Sequence, residues 1–189
     1  YILNGYKKDL SIYLKKTNSN IQVNEINDPI EFKNYNKNCL NIFNVENISN
    51  LKYLNLVNQI KISNFLSSKT KFDLITMPIN KSILKKKINF NGITEFLGEL
   101  NYSKTTMMMF GNNFSVIPYT THINPMFINR SITENLLNDF LKRVLKLLSN
   151  QKYFDLKKII FVCYNPHCGE DGTMGNEDII IKKILKKYK

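Results

Sequence analysis

The sequence predicts an α/β fold, a three-layer α/β/α arrangement in which a mixed sheet carries helices on both faces. Short apolar runs rich in β-branched residues alternate along the chain with amphipathic helical patterns. One pair of runs flanks Gly111-Asn112-Asn113, a hairpin signal that adds an antiparallel pair to the sheet. No run approaches the roughly 20 apolar residues of a membrane-spanning helix, so we expect a soluble protein without a membrane partner.

The first half of the chain contains three predicted strands and three predicted helices. A surface helix is expected over residues 5–16, because apolar side chains recur there among lysines. Strands are predicted at 21–26 and 39–45, and a helix at 51–66. A buried strand at 72–76 is ended by Pro78, which cannot donate to a ladder, and a short basic helix follows at 82–88.

The second half begins with the hairpin strands, residues 104–110 and 114–119, in which the methionines at 107–109 are predicted as core. Ser131 and Glu134 form a capping box that predicts the start of a long helix. Its apolar face comprises Leu136, Leu137, Phe140, Leu141, Val144, Leu145 and Leu148. A polar turn then leads to a buried strand at 158–164, a loop at 165–178 and a helix ending in lysines.

Composition disfavours a nucleic-acid partner, although the net charge is +12. The lysines are scattered and there are only two arginines, Arg130 and Arg143, so no basic face with bidentate donors is indicated. The three cysteines, Cys39, Cys163 and Cys168, form no framework of pairs, which favours a reducing cytoplasm. The chain starts at Tyr1 rather than Met, so we expect a fragment of a larger protein.

The loop after the last predicted strand contains the densest set of chemical groups, and parallel sheets bind ligands at this kind of position. It reads N-P-H-C-G-E-D-G-T-M-G-N-E-D over residues 165–178. This run resembles the signature of the 4-hydroxythreonine-4-phosphate dehydrogenase (PdxA) family, N-P-H-A-G-E-x-G-x-x-G-x-E-E. Three further blocks are similar to family blocks in the same order: residues 73–81 (D-L-I-T-M-P-I-N-K), 92–95 (G-I-T-E) and 120–123 (T-T-H-I).

The resemblance implies a fold of the isocitrate and isopropylmalate dehydrogenase type, with two lobes around a cleft and a homodimer. Residues 1–189 would then be a partial domain without the family's N-terminal strand and C-terminal segment. The family oxidises and decarboxylates 4-phosphohydroxy-L-threonine to 3-amino-2-oxopropyl phosphate, a step towards pyridoxal 5'-phosphate. The implied cofactors are NAD or NADP and a divalent metal (Zn, Mg or Co), and the implied partner is this small phosphorylated substrate.

The same resemblance implies metal and substrate residues. His122 and His167 match the first two of three metal-binding histidines, and the third lies in a later Y-H-D-Q-G block that this chain does not reach. A catalytic metal site needs about three protein ligands, so two histidines are too few. Thr94 matches a family threonine that contacts the phosphorylated substrate together with the histidine before it. Ile93 stands in place of that histidine. No catalytic base or NAD contact is assigned.

The sequence also suggests roles for several other residues near these blocks. Asn80 and Lys81 could face an anionic ligand or be solvated. Glu170 is predicted to orient a histidine, whereas Glu177 and Asp178 suit the first turn of a helix, where negative charge favours the dipole. Cys168 is interpreted as a tolerated small residue.

The alternatives for function are a dehydrogenase of phosphorylated four-carbon sugar acids, a degenerate non-catalytic remnant and, ranked last, a basic nucleic-acid binder.

Overall fold

The computed structural model describes residues 1–85, 87–88, 90–149 and 158–188. The chain divides into two compact units, Tyr1–Lys104 and Thr105–Lys189. Each unit contains its own set of buried apolar side chains.

The first unit is built on a parallel three-stranded sheet. Its strands are β1 (Ile2–Gly5), β2 (Val23–Glu25) and β3 (Leu40–Asn44), and β3 lies between the other two. Ile2 pairs with Asn41, and Val23 pairs with Leu40. The predicted strands at 21–26 and 39–45 are therefore confirmed, whereas β1 was missed because four residues before a helix give little periodicity.

Four helices belong to the first unit: α1 (Lys7–Lys16), α2 (Lys52–Lys69), α3 (Lys81–Lys85) and α4 (Ile93–Leu100). The helices expected from residues 5, 51 and 82 are thus confirmed, with small differences at their ends. The buried apolar side chains of this unit come from β3, the residues directly after β2 and β3, α2, α3 and the loop before α4; they are Ile26, Ile42, Val45, Ile60, Leu84 and Phe90.

The buried strand predicted at 72–76 is wrong. Residues 72–76 form no strand, and Ile75 is 68% exposed. At the start of this segment side chains pair with the Phe72 backbone: Ser67 Oγ donates to the Phe72 carbonyl (2.9 Å), and the Phe72 amide donates to Thr70 Oγ1 (3.3 Å). A backbone whose polar groups are paired locally has less need of a ladder.

The second unit contains α5 (Ile128–Ser131), α6 (Glu134–Leu148) and α7 (Glu177–Leu185). Its core consists of apolar side chains from the segment before α6 and from α6 and α7; they are Ile132, Leu137, Phe140, Leu141, Val144, Leu148, Ile181 and Ile184. Met108, Ile117, Tyr119 and Phe161 pack against this core. Five of the seven residues predicted on the apolar face of α6 are buried, whereas Leu136 is 47% exposed and Leu145 is half-buried.

The start of α6 differs from the predicted capping box. Thr133 is the N-cap, and its hydroxyl accepts a hydrogen bond from the Leu136 amide (3.3 Å). Ser131 cannot take this role because it is the last residue of α5, where its carbonyl accepts a hydrogen bond from the Tyr119 hydroxyl. Burial raises the pKa of Tyr119, whose ring also packs edge-on against Phe140.

The hairpin and the last strand are less regular than predicted. Met109 and Val116 exchange two backbone hydrogen bonds of 2.8 and 2.9 Å, but this is a single bridge rather than two strands. Residues 158–164 form no strand, and Ile160 and Val162 are 73% and 79% exposed, so the buried strand predicted there is wrong. The polar turn predicted before residue 158 lies outside the described residues.

No helix in the described part of the chain has the length and apolar character needed to cross a membrane.

Candidate functional site

The loop after residue 164 is held by the first turn of α7. The Asp178 carboxylate is buried and accepts hydrogen bonds from the amides of Tyr164 and Asn165, both at 2.8 Å. Glu177 accepts a third from the Asn165 side chain at 3.0 Å. The predicted helix start at these two acids is confirmed, and their carboxylates also fix the entry to the loop. Negative charge is favourable in the first turn of a helix, and the N–H groups of residues 164–165 form charge-assisted hydrogen bonds with it.

Within this loop the backbone makes a left-handed turn. His167, Cys168, Gly169, Glu170 and Asp171 have φ values of 50°, 55°, 78°, 43° and 53°. Such a conformation costs an L-residue about 1–2 kcal/mol, so the surrounding contacts must hold it. Consecutive non-glycine residues in this conformation are uncommon, which makes the loop a candidate functional segment.

Gly169 is the buried centre of the turn. A Cβ atom there would lie 3.1 Å from the Gly175 carbonyl oxygen and 3.5 Å from Asp178 Oδ2. The Gly169 carbonyl accepts a hydrogen bond from the Met174 amide (3.2 Å), which closes the loop on itself. Glycine is therefore favoured here, because it adopts a positive φ without strain and because a side chain would approach the Gly175 carbonyl closely.

Both histidines of the chain have positive φ values, 52° at His122 and 50° at His167. Both are exposed and belong to the second unit. Histidine is enriched among such residues, but the coincidence with two motif positions favours a functional placement. Among the described residues no cluster of three histidine, cysteine or acidic side chains could hold a metal ion.

Cysteine chemistry in this loop differs from the sequence prediction. Cys163 and Cys168 form a disulfide, with their Cα atoms 5.1 Å apart, whereas Cys39 is free. The expectation that the cysteines form no pairs, and that Cys168 is only a tolerated small residue, is wrong. Sequence separation gave no signal for this pair, because the left-handed turn is what returns Cys168 towards Cys163.

The first unit contains a separate, open cavity of about 290 Å³. Its lining is mostly apolar, with one hydroxyl and one ammonium group: Thr76, Met77, Pro78, Ile79, Lys81, Phe90 and Ile93. Five of these residues belong to the 73–81 block, and they follow the extended segment that was predicted as a strand. A cavity of this kind suits a ligand with an apolar portion and an anionic group.

The predicted substrate residues are distributed unevenly around this cavity. Ile93 and Lys81 line it, whereas Thr94, the second residue of α4, is half-buried and does not belong to the lining. Asn80 accepts hydrogen bonds from the amide (3.1 Å) and hydroxyl (2.6 Å) of Ser82, so its side chain caps α3. Sequence reasoning missed Phe90 as a lining residue, because a single aromatic residue beside Gly92 carries no pattern.

Solved structures share this arrangement of strands and helices. The 4-hydroxythreonine-4-phosphate dehydrogenase of Klebsiella pneumoniae superposes with a TM-score of 0.82 at 19% identity, covering 99% of this chain and 62% of that one. The enzyme of Burkholderia phymatum gives a TM-score of 0.75 at 22% identity, with coverages of 98% and 61%. The chain is thus an α/β protein with the fold of these dehydrogenases.

Sequence comparison specifies the family within that fold. The family model described as Pyridoxal phosphate biosynthetic protein PdxA matches residues 5–189. A 4-hydroxythreonine-4-phosphate dehydrogenase of Vibrio vulnificus is 36% identical over 129 residues, which are 64% of this chain and 38% of the relative. That of Pseudoalteromonas translucida is 38% identical over 112 residues, 56% of this chain and 33% of the relative. The chain belongs to the PdxA family, as the four sequence blocks predicted.

The alignments cover only part of the relatives. They span 33% to 40% of the length of the curated proteins and about three fifths of the solved chains.

Proposed function

We propose that this chain is part of an NAD-dependent dehydrogenase that oxidises 4-phosphohydroxy-L-threonine in pyridoxal 5'-phosphate biosynthesis. The observation that carries the proposal is the match to the PdxA family over residues 5–189. In the proposed reaction the 3-hydroxyl is oxidised with NAD or NADP, and the resulting β-keto acid loses CO2 to give 3-amino-2-oxopropyl phosphate. The protein would act as a cytoplasmic homodimer, with no nucleic-acid partner.

The proposed divalent metal, Zn, Mg or Co, would take His122 and His167 as two of its ligands. Neutral imidazoles suit zinc or cobalt, and both lie in loops whose positive φ angles indicate imposed positions. The described residues contain no cluster of three ligands, so these two histidines do not by themselves fit a complete site. The proposal therefore needs a further ligand from outside the described residues.

Substrate recognition in the first unit would use the cavity at Lys81. Its ammonium group is the charged member of the lining and is suited to a phosphate or carboxylate of the substrate. Thr94, beside this lining, would contribute its hydroxyl after a small rearrangement of α4, and Glu170 would orient a histidine in the second unit.

Ile93 favours a second candidate substrate. Its aliphatic side chain lines the cavity and offers no hydrogen bond to a substrate group at that position. A substrate group that needs a donor there would lose about 1–3 kcal/mol of interaction. A phosphorylated four-carbon sugar acid, presented differently to the same cavity, is the alternative that this substitution supports.

The test is NADH formation by the purified full-length protein that contains this chain, with zinc, magnesium or cobalt. 4-Phosphohydroxy-L-threonine and phosphorylated four-carbon sugar acids are compared as substrates, and Lys81→Met is compared with Lys8→Met, which alters an exposed lysine of α1. Losing one charged hydrogen bond should raise KM on the order of tenfold in Lys81→Met alone. Absence of NADH formation with every substrate and metal would support the non-catalytic alternative and overturn the proposed function.

A further inference from the structure

The disulfide encloses the part of the loop that carries His167. Cys163 lies at the end of the segment 158–163, which is exposed apart from Phe161, and Cys168 is the second residue of the left-handed turn. Five positions separate them, so the bond closes a small ring around Tyr164, Asn165, Pro166 and His167. Both cysteines are solvent-exposed, which makes the bond accessible to a reductant.

Non-covalent contacts fix the two sides of this ring but not its centre. On the entry side, the Tyr164 and Asn165 amides bind the Asp178 carboxylate. On the exit side, the Met174 amide binds the Gly169 carbonyl at 3.2 Å. The link between them is the 3.2 Å hydrogen bond from the Cys168 amide to the Asn165 carbonyl, together with the disulfide.

The residues between these anchors have a conformation that needs support. His167 and Cys168 are both left-handed, and neither is a glycine. A covalent bond at Cys168 restricts the alternatives open to the turn, because the ring is too short for Cys168 to move away while its sulfur is bonded. Reduction removes this restriction, so the hydrogen bond from the Cys168 amide to the Asn165 carbonyl is left to join the two sides of the ring around the left-handed His167.

We propose that the Cys163–Cys168 disulfide is a reversible redox switch that sets the position of His167. A thiolate of a cellular dithiol attacks one sulfur and forms a mixed disulfide, releasing the other cysteine as a thiol after protonation. The second thiol of the reductant then displaces the first cysteine. Two electrons and two protons pass to the protein, and the reductant becomes a disulfide. In a cytoplasmic protein such bonds are usually transient or redox-sensing, which fits this accessible position.

The switch goes beyond the proposed function, since its existence requires no dehydrogenase activity. The bond itself is tested by intact mass after alkylation with N-ethylmaleimide in denaturant. Protein purified without reductant should carry one adduct, at Cys39, and protein treated with a dithiol should carry three. Three adducts without prior reduction would overturn the inference.

The conformational consequence is tested by hydrogen exchange of the amides at 167–172. Reduction should accelerate their exchange by on the order of tenfold or more, as expected when a short covalent ring is opened. Cys168→Ala and Cys163→Ser should exchange at the rate of the reduced wild type and be insensitive to the dithiol. Cys39→Ser, the matched control, should respond like the wild type. Unchanged exchange in reduced wild type with three free thiols would overturn the switch.

Discussion

A run of consecutive left-handed residues distinguishes the loop at 167–171 from ordinary connections. The two histidines singled out by motif both have positive φ values, as do Cys168, Glu170 and Asp171. The sequence singles out these residues as candidates but does not indicate how they are held. The buried Asp178 was predicted only as a helix-start acid, because nothing in the sequence indicates that its carboxylate receives the amides of Tyr164 and Asn165.

Asp178→Asn is expected to destabilise the second unit by about 1–3 kcal/mol. The amide side chain loses the charge and keeps one acceptor oxygen, so one of the backbone amides of residues 164–165 faces an NH2 group and loses its acceptor. Asp171→Asn is the matched control, since Asp171 is exposed and asparagine tolerates its left-handed conformation. Urea unfolding of the two variants measures the difference, and equal stabilities would contradict the role assigned to Asp178.

Helices with strong periodicity were predictable, whereas only some of the strands were. The helix α6 follows from its apolar face, which the structure buries against α7. The runs at 72–76 and 158–164 have the composition of buried strands, yet neither forms a strand. Composition indicates only that a segment can be extended, whereas pairing depends on neighbouring backbones that the local sequence does not specify.

Leu137→Ala in α6 should cost about 2–5 kcal/mol of unfolding free energy, because Leu137 is fully buried and the change leaves a cavity. Leu136→Ala changes the adjacent, half-exposed leucine of the same helix and should cost less than about 1 kcal/mol. Chemical denaturation followed by circular dichroism compares the two. Similar losses would mean that the apolar face of α6 is assigned incorrectly.

The contact between α6 and α7 should make stability depend on pH in the acid range. A hydrogen bond from Lys183 lowers the pKa of Glu134. A carboxyl whose pKa is lower in the folded state contributes stability above its unfolded pKa, and this contribution is lost as the pH falls through the folded value. Wild type should therefore exceed Glu134→Gln in Tm at neutral pH by a small amount.

That difference should disappear in acid and shrink in high salt, since the pair is exposed. A Tm difference that persists unchanged at low pH would contradict the ion pair as its cause. The comparison needs only thermal melts of the two proteins across the acid range.

At the scale of the whole molecule, the fold and family follow from ordered sequence blocks rather than from composition. The net charge of +12 and the scattered lysines indicate a positively charged surface but do not indicate an activity. Four motif blocks predicted the PdxA family, which the match over residues 5–189 confirms. The division into two compact units was not predictable, because no linker rich in glycine, serine or proline marks the boundary after Lys104.

The proposed function depends most on His122 and His167 sharing one divalent metal ion. Zinc titration calorimetry on wild type, His122→Asn, His167→Asn and the double variant tests this claim, with Asp171→Asn as the control. A shared site predicts one zinc ion per chain and an affinity weakened about tenfold or more by each single change. The loss of binding free energy in the double variant should be smaller than the sum of the two single losses, because both changes act on the same site. Wild-type affinity in both single variants would contradict it.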